Sequence, residues 1–146
     1  MREVHVTVAA VVEREGQFLF VEEKIGGSTV LNQPAGHWEA GETLAEAMVR
    51  EALEETAWHV APVDLLGVYE FHPPELPYGF IRFAFRARAL RLDPARTLDE
   101  GIERAVWLTP AQLTQQAARH RSPMVLRCVE DALAGKSLPL GTIAHL

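Results

Sequence analysis

Residues 4–13 read VHVTVAAVVE, an apolar run rich in β-branched side chains, and this composition predicts a buried strand. Glu15-Gly16 supplies a turn and QFLFVEE (17–23) returns, so the two runs are expected to form a hairpin. KIGGSTV, with adjacent glycines, is expected to be a flexible loop, LNQ a short extended piece stopped by Pro34, and PAGHWEAGE (34–42) an irregular loop. A change to helical periodicity follows. Thr43 and Glu46 match the Thr-x-x-Glu capping box, and LAEAMVREALEET consists of strong helix formers. VDLLGVYEFH (63–72), FIRFAFRARAL (80–90) and RAVWL (104–108) read as strands. The proline-rich PPELPYG (73–79) and the charged RLDPARTLDEGIE (91–103) read as connections. Thr109-Pro110 and Ser122-Pro123 each pair a capping residue with a proline at the first helical position, which predicts helices over about 110–118 and 123–134, the second ended by Gly135. Strands, a helix, strands and then helices predict an α+β fold with a mixed sheet, in a single domain spanning 1–146.

Composition narrows the function classes. The chain has 146 residues and a net charge of -6, which argues against a nucleic-acid polymer or an anionic membrane as partner. Phosphates remain accessible to such a protein where a metal supplies positive charge. Cys128 is the sole cysteine, so an intrachain disulfide and a cysteine zinc cluster are both ruled out, as suits a reducing cytosol. The N-terminal MREVHVTVAAVV reads as a strand, not a signal peptide, and no apolar stretch approaches membrane-span length. A cytoplasmic location is expected; oligomeric state is not legible.

The chemistry is concentrated on the first helix. At ~100° per residue, Glu51, Glu54 and Glu55 fall within an arc of roughly 100°. Ala45, Val49, Leu53 and Ala52 lie opposite and predict a core face. The turns preceding the glutamates on their own side carry Leu44, Ala47 and Met48, and no lysine interrupts the acidic group. A solvated face would mix charges; this pattern predicts a helix packed on two sides with carboxylates at a cleft mouth. Like charges this close repel unless a cation sits among them. Hard cations such as Mg²⁺ prefer carboxylate, carbonyl and water oxygens and also bind substrate phosphates. Arg50 borders Glu54, and its fork of donors can orient a neighbouring carboxylate.

The stretch GHWEAGETLAEAMVREALEETAW, from residue 36, resembles the Nudix box at Gly36, Glu42, Arg50, Glu51, Glu54 and Glu55. Six fixed positions recur by chance about once in 10⁵ chains of this length. Three positions depart from the pattern: Ala52 and Trp58 stand at aliphatic positions, and Ala57 stands where the family has the glycine that ends the helix in a left-handed turn. Alanine in that turn costs roughly 1–2 kcal/mol, so either the turn is strained or the helix exits differently.

The resemblance implies a Nudix-type α/β/α sandwich with a mixed β-sheet, a catalytic loop-helix-loop and two C-terminal helices. It implies hydrolysis of a pyrophosphate linkage, with Glu51, Glu54 and Glu55 as Mg²⁺ or Mn²⁺ ligands and a backbone carbonyl near Ala35-Gly36 adding an oxygen. Glu42 would brace the loop and Arg50 would orient Glu51. The general base would be Glu51, Glu54 or an acid of the later loop, where Asp99, Glu100 and Glu103 stand; each of these last three taken singly reads first as a solvated loop residue. Further similarity over most of the chain, including NQPAGHWEAGETLAEA and RSPMVLRCVEDALAGKSLPL, points to a bacterial subgroup acting on thiamine-type pyrimidine pyrophosphates and nucleoside di- and triphosphates. A pyrophosphatase acting on nucleoside triphosphates or sugar nucleotides to release a monophosphate is the alternative, and a non-catalytic nucleotide-binding module a third class.

Local features bear on the substrate. Arg82 lies in an apolar strand and needs an anionic partner, either a substrate phosphate or Glu22, Glu23 or Glu70. Asn32 and Gln33 would bond a heterocycle edge or the loop backbone. His37, Trp38 and Phe71 would stack on a heterocycle or pack. Arg121 and Ser122 would meet a phosphate, Ser122 being explained also as a helix cap. Cys128 reads as core, and His5, His120 and His145 show no ligand spacing.

Overall fold

Strand β1 (Val4–Arg14) is buried on both faces in the computed structural model, which describes residues 3–146. Val8, Ala10 and Val12 pack into one core cluster, Ala9 and Val11 into another. That two-sided burial explains why the apolar run lacks polar alternation. β1 pairs in parallel with β6 (Gly79–Leu92) and antiparallel with β4 (Ala35–His37), and its last residues turn into β2 (Gln17–Ile25) as the expected hairpin. β2 lies between β3 (Ser28–Asn32) and β7 (Ile102–Leu108), while β5 (Trp58–Phe71) forms the edge beside β6. The result is a seven-stranded mixed sheet with principal order β3-β2-β1-β6-β5.

Helix α1 (Leu44–Thr56) covers one face through Ala47, Met48 and Ala52. Helices α2 (Pro110–Gln115) and α3 (Met124–Leu133) cover the other through Leu113, Val125, Cys128 and Val129. This is the expected α/β/α sandwich. The capping boxes Thr43–Glu46 and Thr109–Gln112 are both closed by reciprocal hydrogen bonds. Among the described residues no helix is long and apolar enough to cross a membrane.

Several segments differ from the sequence expectation. Residues 24–30 are not a loose loop: Ile25 pairs with Ser28 across a two-residue turn. Gly26 and Gly27 have φ of 55° and 85°, as this tight hairpin turn requires. Within the segment expected to be wholly irregular, residues 35–37 form β4. β5 begins at Trp58 rather than 63, because Pro62 sits in an edge strand at a register shift, where a missing N–H is tolerated. α2 stops at Gln115 and a short 3₁₀ turn, Ala117–Arg119, follows. Helix α1 is packed on two sides, as expected: Ala47, Met48 and Glu51 are buried on the glutamate side and Ala52 on the other, where Ala45 and Val49 are partly buried against the same core cluster.

The helix exit settles the question raised by Ala57. It adopts φ 64°, ψ 10°, and its N–H donates to Leu53 O at 3.0 Å, so the left-handed turn is kept with alanine in it. Trp58 stands edge-on to Trp107, with ring centroids 5.7 Å apart, and the Arg14 guanidinium lies over both rings at 4.8 and 4.7 Å. An aromatic residue replaces the family's aliphatic one because it closes this stack.

Candidate active site

Gly36 sits on β4 directly beneath α1. A Cβ at that position would lie 2.1 Å from the Glu51 carboxyl carbon, so only glycine admits the carboxylate this close to the backbone. Glu51 is 8% exposed. Arg50 fixes the group around it. Its Nε and Nη2 donate to the two carboxylate oxygens of Glu42, at 3.0 and 2.7 Å, a two-pronged pair. Nη1 donates to Glu51 at 2.8 Å and to Glu54 at 3.4 Å, and Nη2 also donates to the carbonyl of His37 at 3.1 Å. Glu42 accepts the backbone N–H of Glu39 at 3.1 Å, which ties the loop before α1 to the same guanidinium. These hydrogen bonds hold the Glu42 carboxyl below the usual carboxylate range and raise Arg50.

Oxygens of Glu51, Glu54 and Asp99 all lie within 4.8 Å of one another. Asp99 reaches the group because its N–H donates to Glu54 O at the end of α1, at 3.0 Å, fastening the 93–101 connection there. Glu100 and Glu103 stand outside this trio; Glu103 accepts from Thr29 Oγ1 at 3.3 Å instead. Glu55 accepts the N–H of Ala35 at 2.9 Å. Burial pushes its carboxyl up to about 8, and the charges of Glu51, Glu23 and Asp99 add to the effect. Glu51 is raised as well, by burial first, against the opposing pull of Arg50. Hard oxygen donors crowded at this spacing, with ionisation disfavoured at Glu51 and at the adjacent Glu55, fit a divalent cation such as Mg²⁺.

A cleft of about 1170 Å³ opens from this group. Gly36, Glu51 and Glu55 line one part of it, and Thr7, Asn32, Arg82, Arg121 and Phe71 line others. Among the residues expected at substrate, His37 lines the cleft, and its ring shares a 2.8 Å hydrogen bond with the His5 ring. That contact follows from the β1–β4 register, where Thr7 faces His37, and no sequence spacing announces it. Gln33 is sealed beneath the cleft: its Nε2 donates to Val125 O at 2.7 Å and its Oε1 accepts from Arg82 at 2.9 Å. Trp38 turns away, donating to Glu42 O at 2.8 Å and lining a separate cavity with Leu44, Phe85 and Ile143. Arg82 pairs with none of the three glutamates expected as structural partners; Glu22 is engaged by Arg104 and Arg119 at 2.6 and 3.1 Å.

The NUDIX domain family model matches residues 1–128. Phosphatase NudJ of Escherichia coli K12 is 39% identical over 139 residues, covering 95% of this chain and 90% of that protein. A solved NUDIX hydrolase from Nitrosomonas europaea is 41% identical, with a TM-score of 0.96 over 99% of this chain and 98% of its own. A MutT NUDIX hydrolase from Burkholderia pseudomallei, 20% identical, has a TM-score of 0.71 over 88% of this chain and 98% of its own, and shares the fold. With the box residues gathered as described, the chain belongs to the Nudix family and is a Nudix phosphohydrolase.

Proposed function

We propose that this phosphohydrolase is divalent-cation dependent and splits phosphoanhydride bonds in small phosphorylated metabolites. The substrates proposed are thiamine-type pyrimidine pyrophosphates and nucleoside di- and triphosphates. The carrying observation is the convergence of Glu51, Glu54 and Asp99 beside an arginine-braced loop at a cleft. Glu51, Glu54 and Asp99 would hold the cation, with Glu55 and the Gly36 carbonyl beside them; Mg²⁺ is the expected ion and Mn²⁺ its substitute. Bound there, it supplies charge neutralisation of the diphosphate and Lewis-acid activation.

The remaining work falls to the chain. Arg50 keeps Glu51 in one orientation and Glu42 keeps Arg50 in place. Glu54 has the longer contact with Arg50, 3.4 Å, and in this reading its carboxylate takes the proton of the attacking water. The likeness to a protein called a phosphatase supports release of inorganic phosphate. Turnover of a substrate panel with Mg²⁺ and with Mn²⁺, with products read by phosphorus NMR, tests this. Inorganic phosphate from pyrimidine pyrophosphates or nucleotides is expected, and Glu54→Gln should abolish it while the fold survives. Pyrophosphate as product would assign the other regiochemistry, and full activity in Glu54→Gln would remove that residue from the mechanism.

A further inference from the structure

Arg82 is 3% exposed, on a strand between Thr7 of β1 and Tyr69 of β5. A guanidinium taken out of water costs several kcal/mol unless an anion accompanies it. Among the described residues none does. Nη1 donates to Gln33 Oε1 and Nη2 to Asn32 Oδ1, each at 2.9 Å; both acceptors are neutral amides. Nε is buried without a hydrogen-bond partner. Nη1 lies 3.9 Å from Cys128 Sγ, but burial raises that thiol and keeps it uncharged. Asp131, another buried acid of α3, is occupied by Arg127 and Lys136 at 3.0 Å each and by the Tyr69 hydroxyl at 2.7 Å.

The amides explain the position but not the charge. Gln33 is anchored on Val125 O, so the strand that precedes the box and helix α3 jointly fix the guanidinium plane. Arg82 and Asn32 line the same cleft as Glu51. Arg121 lines it too; its backbone N–H donates to Leu31 O at 2.8 Å, next to Asn32. Its side chain is exposed and makes no ion pair among the described residues. The cleft therefore carries two arginines without carboxylate partners, distinct from its acidic group.

We propose that Arg82, positioned by Asn32 and Gln33 and joined by Arg121, forms an anion subsite that takes a phosphate group of the substrate. The subsite rests on the hydrolase reading of the cleft only for the identity of that substrate. It supplies the positive charge that an acidic protein needs around phosphate, at a place the cation does not occupy. A planar guanidinium fork matches two phosphate oxygens, and lysine does not reproduce that match.

The test is a titration of inorganic pyrophosphate into the unmutated protein in EDTA, followed through the ¹H–¹⁵N signals of the arginine Nε–H groups. The Arg82 signal should move saturably. Affinity should fall about tenfold in Arg82→Lys and severalfold in Arg121→Ala, the latter an exposed site whose change spares the fold. An Arg82 signal that stays in place at high pyrophosphate overturns the subsite. A moving signal with affinity untouched by Arg121→Ala overturns the part given to Arg121. Because metal and turnover are both absent, a protein that passes this titration yet hydrolyses no phosphoanhydride with Mg²⁺ would refute the hydrolase reading alone.

Discussion

The Gly36 backbone and the Glu51 carboxylate occupy space that a methyl group would need, since a Cβ on Gly36 would lie 2.1 Å from the Glu51 carboxyl carbon. Glu51 cannot simply swing aside, because Arg50 Nη1 holds it at 2.8 Å. Gly36→Ala should displace the carboxylate while leaving the sheet intact. Turnover and Mn²⁺ affinity are expected to drop about 10- to 100-fold, the usual cost of disturbing ligand support. Wild-type kinetics in a folded variant would count against this placement of Glu51.

Arg50→Lys keeps the charge but removes the fork that engages Glu42 with two nitrogens and Glu51 with a third. A loss of about 10- to 100-fold in kcat is expected, with a smaller change in KM. Steady-state kinetics decide it, and a variant as fast as wild type would make the network structural only.

Ala57 holds the left-handed position at the end of α1, φ 64°, without the freedom of glycine. Ala57→Gly should stabilise the protein by about 1 kcal/mol, or about 2–4 °C in Tm for a chain of this size. Thermal melts measure this directly, and a lowered Tm would show that the turn is unstrained.

Glu55 gives a pH dependence. Its folded carboxyl titrates at about 8 because of burial, against 4.5 ordinarily. Between those values the folded protein binds more protons than the unfolded chain, so this group's contribution is fully present below about pH 4.5 and is lost as pH rises toward 8. Glutamine can still accept the Ala35 N–H. In EDTA, Glu55→Gln should therefore melt higher than wild type at pH 8 and nearly with it at pH 5. Equal melting at both would contradict a raised Glu55.

Much of this architecture can be read from the chain because local chemistry and tertiary need agree there. The β-branched run of β1 is buried on both faces, and the Thr43 and Thr109 caps do what their spacing promised. β4 was hidden because three residues carry no periodicity. The first five residues of β5 were hidden by Pro62, a residue that only an edge strand tolerates. The helical wheel predicted packing on two sides of α1, and Ala45, Val49 and Ala52 on one side and Ala47 and Met48 on the other do pack into the same core cluster, but the depth at which Glu51 is buried was hidden because β4 beneath it was not legible. The Arg82–Asn32 and Asp99–Glu54 contacts join residues 50 and 45 positions apart, and sheet register and loop docking alone determine them.

In the proposed function, Glu51, Glu54 and Asp99 tolerate one another because a divalent cation binds among them. Crystals grown with Mn²⁺ and a non-hydrolysable pyrophosphate analogue, measured at the manganese absorption edge, decide this. An anomalous peak coordinated by these three side chains is expected, absent in Asp99→Asn/Glu51→Gln. A map without that peak, with the three carboxylates pointing apart into solvent, would rule the cation out.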